Sequence, residues 1–220
     1  MIVQIYGITT PDDARVVVEA GADHAGIVLD EGLGAWDAVD AAAAREIVAE
    51  LRGVTTVGLS LATDEADIRR TIETLAPRIA HVVRVTEIWQ PDAVAALRAR
   101  LAPVELMLTV AVRDASATET ARRFADVCDY LLLDSAHPAT DVVGASGVTH
   151  DWTISRRVVD AVTTPVILAG GLGPENVADA IDAVRPAGID SETRTSRAGE
   201  RRRKDAAKVR AFVAAAREAG

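Results

Sequence analysis

Thr164-Pro-Val-Ile-Leu-Ala169-Gly170-Gly171-Leu-Gly-Pro174-Glu-Asn176 is the stretch that decides the fold. Residues 165–169 form a short, wholly apolar run of the kind buried on both faces in a parallel sheet. Two glycines follow at once, and Pro174, Glu175 and Asn176 open an amphipathic helix running to about residue 184. Strand, glycine turn and helix N-terminus in that order aim bare backbone N–H groups at one point. Such a point attracts anions, phosphate above all.

The same unit repeats along the chain. Strands are expected over 2–6, 24–29, 54–61, 79–85, 104–112, 130–134, 165–169 and 187–191. Helices are expected between them, the first capped by Thr9 or Thr10 with Pro11 in its first turn and stopped by Gly21. The remaining helices are expected over 39–51, 64–76, 92–101, 116–126, from 151, over 174–184 and over 204–218. Eight βα repeats in strict alternation require a parallel sheet, and at this length a closed (β/α)8 TIM barrel. The reading takes residues 1–220 as a single domain. A doubly wound open sheet is the alternative, but its glycine fingerprint belongs after strand one, where only Gly7 stands.

Composition agrees with that reading. Hydrophobic residues make up 49% and aromatics 3%, so the core must be built from Val, Ile, Leu and Ala. A net charge of −9 speaks against nucleic acid as a partner. The single cysteine, Cys128, excludes an internal disulfide and fits a reducing compartment. No apolar run approaches the ~18 residues of a membrane span, and no secretory signal opens the chain. A cytoplasmic monomer or homodimer, without a membrane partner, is expected. His24, His81, His137 and His150 lack metal-ligand spacing, so neither metal nor cofactor is expected.

In such a barrel the active site lies at the carboxyl ends of the strands. The candidates there are Tyr6, Asp30, Glu31, Arg84, Glu87, Thr109, Arg113, Asp134, Gly170, Gly171, Asp190 and Ser191. The segment from Arg194 to Lys204 carries six basic residues in an otherwise acidic chain. It is read either as an anion clamp or as a solvated loop.

Several stretches together resemble the phosphoribosylanthranilate isomerases, (β/α)8 enzymes of tryptophan biosynthesis. They are Tyr6-Gly-Ile-Thr9, Glu19-Ala-Gly-Ala-Asp23, Leu131-Leu-Leu-Asp134, Gly144-Ala-Ser-Gly147 with Asp151-Trp152, Gly170-Gly-Leu172 with Pro174-Glu-Asn-Val177, and Gly188-Ile-Asp190. The family reaction is an Amadori rearrangement, which opens an N-linked ribofuranose 5-phosphate and moves its carbonyl from carbon one to carbon two. An acid must protonate the ring oxygen and a base must take the carbon-two proton. The resemblance places Asp134 as the acid and the phosphate on Gly170, Gly171, Ser146, Gly147, Ser191, Thr193 and Arg194.

The departures fall on the chemistry. The family's basic cysteine is replaced by Tyr6, a phenol with a reference pKa of about 10. No arginine stands in the Gly32–Trp36 stretch, where the family holds the anthranilate carboxylate. The family's Ser-Ser-Gly phosphate turn reads Ser191-Glu192-Thr193 here. The expected function is therefore a diverged isomerase or related acid/base catalyst on a phosphorylated sugar or small anion. Asp134 is its acid, with Tyr6 or Glu31 as partner. The alternatives are an authentic phosphoribosylanthranilate isomerase, and a non-catalytic barrel binding an anionic metabolite or partner.

Overall fold

The structure is a computed structural model and describes residues 1–29, 32–136 and 149–220. Eight parallel strands close on themselves in chain order. They are β1 (Ile2–Ile5), β2 (His24–Val28), β3 (Thr55–Ser60), β4 (Ile79–Val82), β5 (Glu105–Val112), β6 (Tyr130–Ser135), β7 (Val166–Leu168) and β8 (Gly188–Ser191). The last strand returns to the first, with Val3 opposite Ile189 and Gln4 opposite Asp190. The expected (β/α)8 barrel is therefore the fold observed.

Burial on both faces explains why these runs are apolar throughout. Along β6, Leu131 and Leu133 face the helical shell, while Leu132 joins Val57, Ile79, Met107 and Ile167 inside the barrel. Each such side chain contributes roughly 1.5–3 kcal/mol on burial. The shell comprises α1 (Pro11–Ala20), α2 (Ala41–Glu50), α3 (Glu65–Leu75), α4 (Val85–Ile88), α5 (Pro91–Leu101), α6 (Ser116–Phe124), α7 (Trp152–Ala161) and α8 (Val177–Val184). Side-chain caps fix where the helices start. Thr10, Asp40, Asp64 and Asp151 each accept a backbone N–H of the first turn, a contact worth about 1 kcal/mol. Gly21, at φ 78°, ends α1 as expected. No helix among the described residues is long and apolar enough to cross a membrane.

Two features differ from the sequence reading. Strand four stops at Val82, and the last residue expected to extend it, Val85, begins the short helix α4. More consequentially, β9 (Ser196–Arg197) and β10 (Glu200–Lys204) form an antiparallel hairpin before the last helix, α9 (Ala206–Ala219). Asp205 caps that helix, so it begins just after Lys204 rather than at it.

Candidate active site at the carboxyl ends of the strands

At the mouth of the barrel, β6, β7 and β8 deliver Asp134, Gly170, Gly171, Asp190, Ser191, Glu192, Thr193 and Arg194 to one depression. Gly170 and Gly171 sit at φ +89° and +62°, the left-handed region in which a side chain is strained. A methyl group on Gly170 would also overlap the Ser135 hydroxyl. The turn is braced from the start of α8. Asn176 Oδ1 accepts the Gly173 N–H at 2.8 Å, and its amide donates to the Gly171 carbonyl at 3.1 Å. Ser191 commits its hydroxyl proton to the Leu172 carbonyl at 2.6 Å. The Thr193 hydroxyl is buried and finds no hydrogen-bond partner among the described residues.

The carboxyls here hold protons at unusually high pH. Burial raises Asp134 to about 7, against the pull of the Ser135 N–H that it accepts at 2.7 Å. Asp190 is raised to about 8, first by burial and then by the charge of Asp134. Its Oδ1 is buried with no hydrogen-bond partner among the described residues. A carboxyl that titrates near neutrality can donate or accept a proton at working pH.

The β1 side is built differently. Tyr6 points into the barrel and is 5% exposed, its ring filling the space that Gly26 leaves on β2. A methyl at Gly26 would overlap that ring. The Tyr6 hydroxyl lies 2.6 Å from His81 Nδ1, and His81 Nε2 lies 2.7 Å from the Thr109 hydroxyl. Burial drives His81 down to about 3, so the ring is neutral and bridges the two hydroxyls, one ring nitrogen donating and the other accepting. Burial, then the charges of Asp190, Glu192 and Asp37, raises Tyr6 well above the ordinary phenol range. The residue at the family's base position is thus a protonated, engaged hydroxyl.

The basic segment is a staple over the β1 and β2 loops. Lys204 N and Arg203 Nε both donate to the buried Asp13, at 2.9 and 3.3 Å. Arg202 donates to the carbonyls of Trp36 and Ala38, and Arg201 lies 3.9 Å over the Trp36 ring. Lys204 is 1% exposed, its ammonium donating to the Glu192 carbonyl at 2.9 Å and the Ser196 hydroxyl at 3.1 Å. The segment is an antiparallel hairpin in which Lys204 is buried while Arg194, Arg197, Arg201 and Arg202 remain exposed. Arg194 lines the depression and pairs with Glu175 at 2.8 Å.

Of the residues singled out from sequence, Asp134, Gly170, Gly171, Asp190, Ser191, Thr193 and Arg194 are brought together. Arg113 and Glu87 pair with each other on the β4–β5 rim at 2.8 Å. Asp30, Glu31, Ser146 and Gly147 lie outside the described residues. His150, whose ring lies between the Ser135 and Ser155 hydroxyls, ties the end of β6 to α7. Cys128 precedes β6 at the opposite end of the barrel, and burial pushes its thiol up to about 12. It does not replace the absent basic cysteine. Sequence reasoning missed Asp37 and Lys204, both buried charges. The only signal was a lysine closing a run of arginines just before a helix cap.

Residues 3–215 match the family described as N-(5'phosphoribosyl)anthranilate (PRA) isomerase. The isomerase of that name from Methanocella arvoryzae is 34% identical over 96% of this chain and 95% of its own length. That from Halobacterium salinarum is 39% identical over 97% of this chain and 94% of its own. The crystal structure of the Thermus thermophilus phosphoribosyl anthranilate isomerase superposes with a TM-score of 0.82, at 26% identity and 99% coverage of both chains.

Proposed function

The chain belongs to the N-(5'-phosphoribosyl)anthranilate isomerase family, and on that footing we propose that it isomerises N-(5'-phosphoribosyl)anthranilate itself. This is the alternative of the sequence analysis, and the relatives favour it over a diverged enzyme on another phosphorylated sugar. The observation that carries it is Asp134, a carboxyl titrating near 7 beside a glycine turn that suits phosphate.

The phosphate rests on the turn at Gly170 and Gly171, with the spare Thr193 hydroxyl and Arg194 as further donors. Asp134, protonated below neutrality, donates to the ribose ring oxygen as the C1–O bond breaks. The nitrogen lone pair becomes the C1=N π bond, leaving an open-chain iminium. A base then removes the carbon-two proton, and its electron pair forms C1=C2 as the C1=N π pair returns to nitrogen. Protonation at carbon one and loss of the carbon-two hydroxyl proton give the ketone. No cofactor enters this balance.

The test is direct. Purified protein should convert N-(5'-phosphoribosyl)anthranilate at about 1 s⁻¹ or more, an ordinary enzymatic rate. A preparation that binds ribose 5-phosphate but leaves this substrate unchanged would return the argument to a different aglycone.

A further inference from the structure

Asp134 and the glycine turn stand at the ends of neighbouring strands, and one residue touches both. Ser135 donates its N–H to the Asp134 carboxyl at 2.7 Å, and its hydroxyl fills the point where a Cβ on Gly170 would stand. His150 Nδ1 lies 3.0 Å from that hydroxyl and 3.1 Å from the same point. We infer that His150 is a positioning residue, which holds the Ser135 hydroxyl against Gly170 and so keeps the phosphate turn and the acid in register. The inference rests on the site proposed above and adds a residue to it.

The backbone leaves this task to side chains. Pairing of β6 with β7 runs to Leu133 opposite Leu168, with the Ala169 N–H on the Leu133 carbonyl at 2.8 Å. Asp134 and Gly170 lie just past that bond. Asn176 braces the turn from the α8 side, through Gly171 and Gly173. The brace toward β6 is Ser135, which is 2% exposed.

A serine hydroxyl has three staggered positions, and the observed one puts the oxygen where Gly170 lacks a Cβ. The imidazole selects that position and is itself anchored. Its Nε2 lies 2.6 Å from the fully buried Ser155 hydroxyl on α7. The next residue, Asp151, caps the same helix by accepting the Thr153 N–H at 2.9 Å. Burial holds His150 down at about 4, so at working pH the ring is neutral and bridges the two hydroxyls, one nitrogen donating and the other accepting. The helical shell thus reaches the mouth through Ser155, His150 and Ser135, and the contact falls on the turn itself.

The test uses the whole chain, with ribose 5-phosphate for binding and N-(5'-phosphoribosyl)anthranilate for turnover. His150→Leu should weaken ribose 5-phosphate about tenfold by calorimetry and lower kcat/KM by about 10², the scale of a misplacement of about 1 Å. His150→Asn puts its amide at the Nδ1 position, facing Ser135, and should return both values to within about threefold of wild type. His150→Gln puts its amide at the Nε2 position, facing Ser155, and should not. Ser135→Ala should lose as much as His150→Leu, and the double variant no more than either, because the two act as one unit.

Binding and kcat/KM both kept within about threefold in His150→Leu overturn the inference, even where the melting temperature falls. So does an asparagine variant no better than glutamine, or losses at His150 and Ser135 that add. Where the leucine variant does not fold, Ser135→Ala and the contrast between asparagine and glutamine decide. Wild-type protein that leaves the anthranilate substrate unchanged overturns the reaction proposed above, and the ribose 5-phosphate affinities then judge His150 by themselves.

Discussion

The two halves of the barrel mouth are built on different principles. On the β6–β8 side the chain keeps a glycine turn and a strand-end aspartate, and the buried Asp190 Oδ1 and Thr193 hydroxyl have no partner among the described residues. On the β1–β2 side several polar groups are already answered, although the Gln4 amide nitrogen and the Trp36 indole N–H are buried without a partner among the described residues. Tyr6 is held by His81, Asp13 by the hairpin, and Trp36 by Arg201. The comparison teaches where function can reside, because a group satisfied by its own fold has little left to give a ligand. On the function proposed above, the open half would bind and protonate the substrate while the closed half supports the fold.

The sharpest way to break that division is at Asp134. Asp134→Asn should lower kcat by about 10²–10⁴ with little change in ribose 5-phosphate affinity. It should also reshape the pH dependence of stability. The fold holds the Asp134 proton up to about 7 against an ordinary value of 3.8, so the folded state binds it more tightly. That contribution is fully present below pH 4 and is lost as pH rises through 7. Thermal melts should therefore show the asparagine variant gaining on the wild type between pH 5 and pH 8. Unchanged turnover would move the acid elsewhere.

Next in size is the glycine turn. Gly171→Leu places a branched side chain at φ +62° on the phosphate approach, and should weaken ribose 5-phosphate binding about tenfold or more by calorimetry. Equal affinities would put the phosphate away from this turn.

Tyr6→Phe probes the closed half. It leaves His81 Nδ1 buried without its partner, so stability should fall by about 1–3 kcal/mol in denaturant titration. Turnover should change far less than at Asp134. A large kcat loss with an intact fold would make Tyr6 the base and end the division argued here. The smallest effect is expected at Arg201→Ala, which removes the contact over Trp36. Chemical denaturation should register a loss of about 0.5–1 kcal/mol, with kcat unchanged.

The barrel was legible because its signal is repeated and local: apolar runs, Asp and Thr caps, and glycine stops recur along the chain. The β6–β8 half of the site was legible for a related reason, since the glycine turn and the strand-end aspartate are each read within a few residues. The β1 half was not. The Tyr6–His81 contact spans 75 residues, and it is set by which strands oppose one another across the interior. Nothing near Tyr6 announces that Gly26 clears space for its ring. The hairpin was hidden by composition, because six basic residues read as a solvated run when their partners, Asp13 and Trp36, lie far back in the chain.

The central claim is that the open half of the mouth isomerises N-(5'-phosphoribosyl)anthranilate with Asp134 as its acid. The most direct measurement is turnover of that substrate by wild-type protein and Asp134→Asn from pH 5 to pH 9. The account expects about 1 s⁻¹ or more from the wild type, with a rate that falls as pH rises through about 7, and a variant that is slow throughout without that fall. Wild-type protein that leaves the substrate untouched, or a variant that matches it at every pH, would contradict the account.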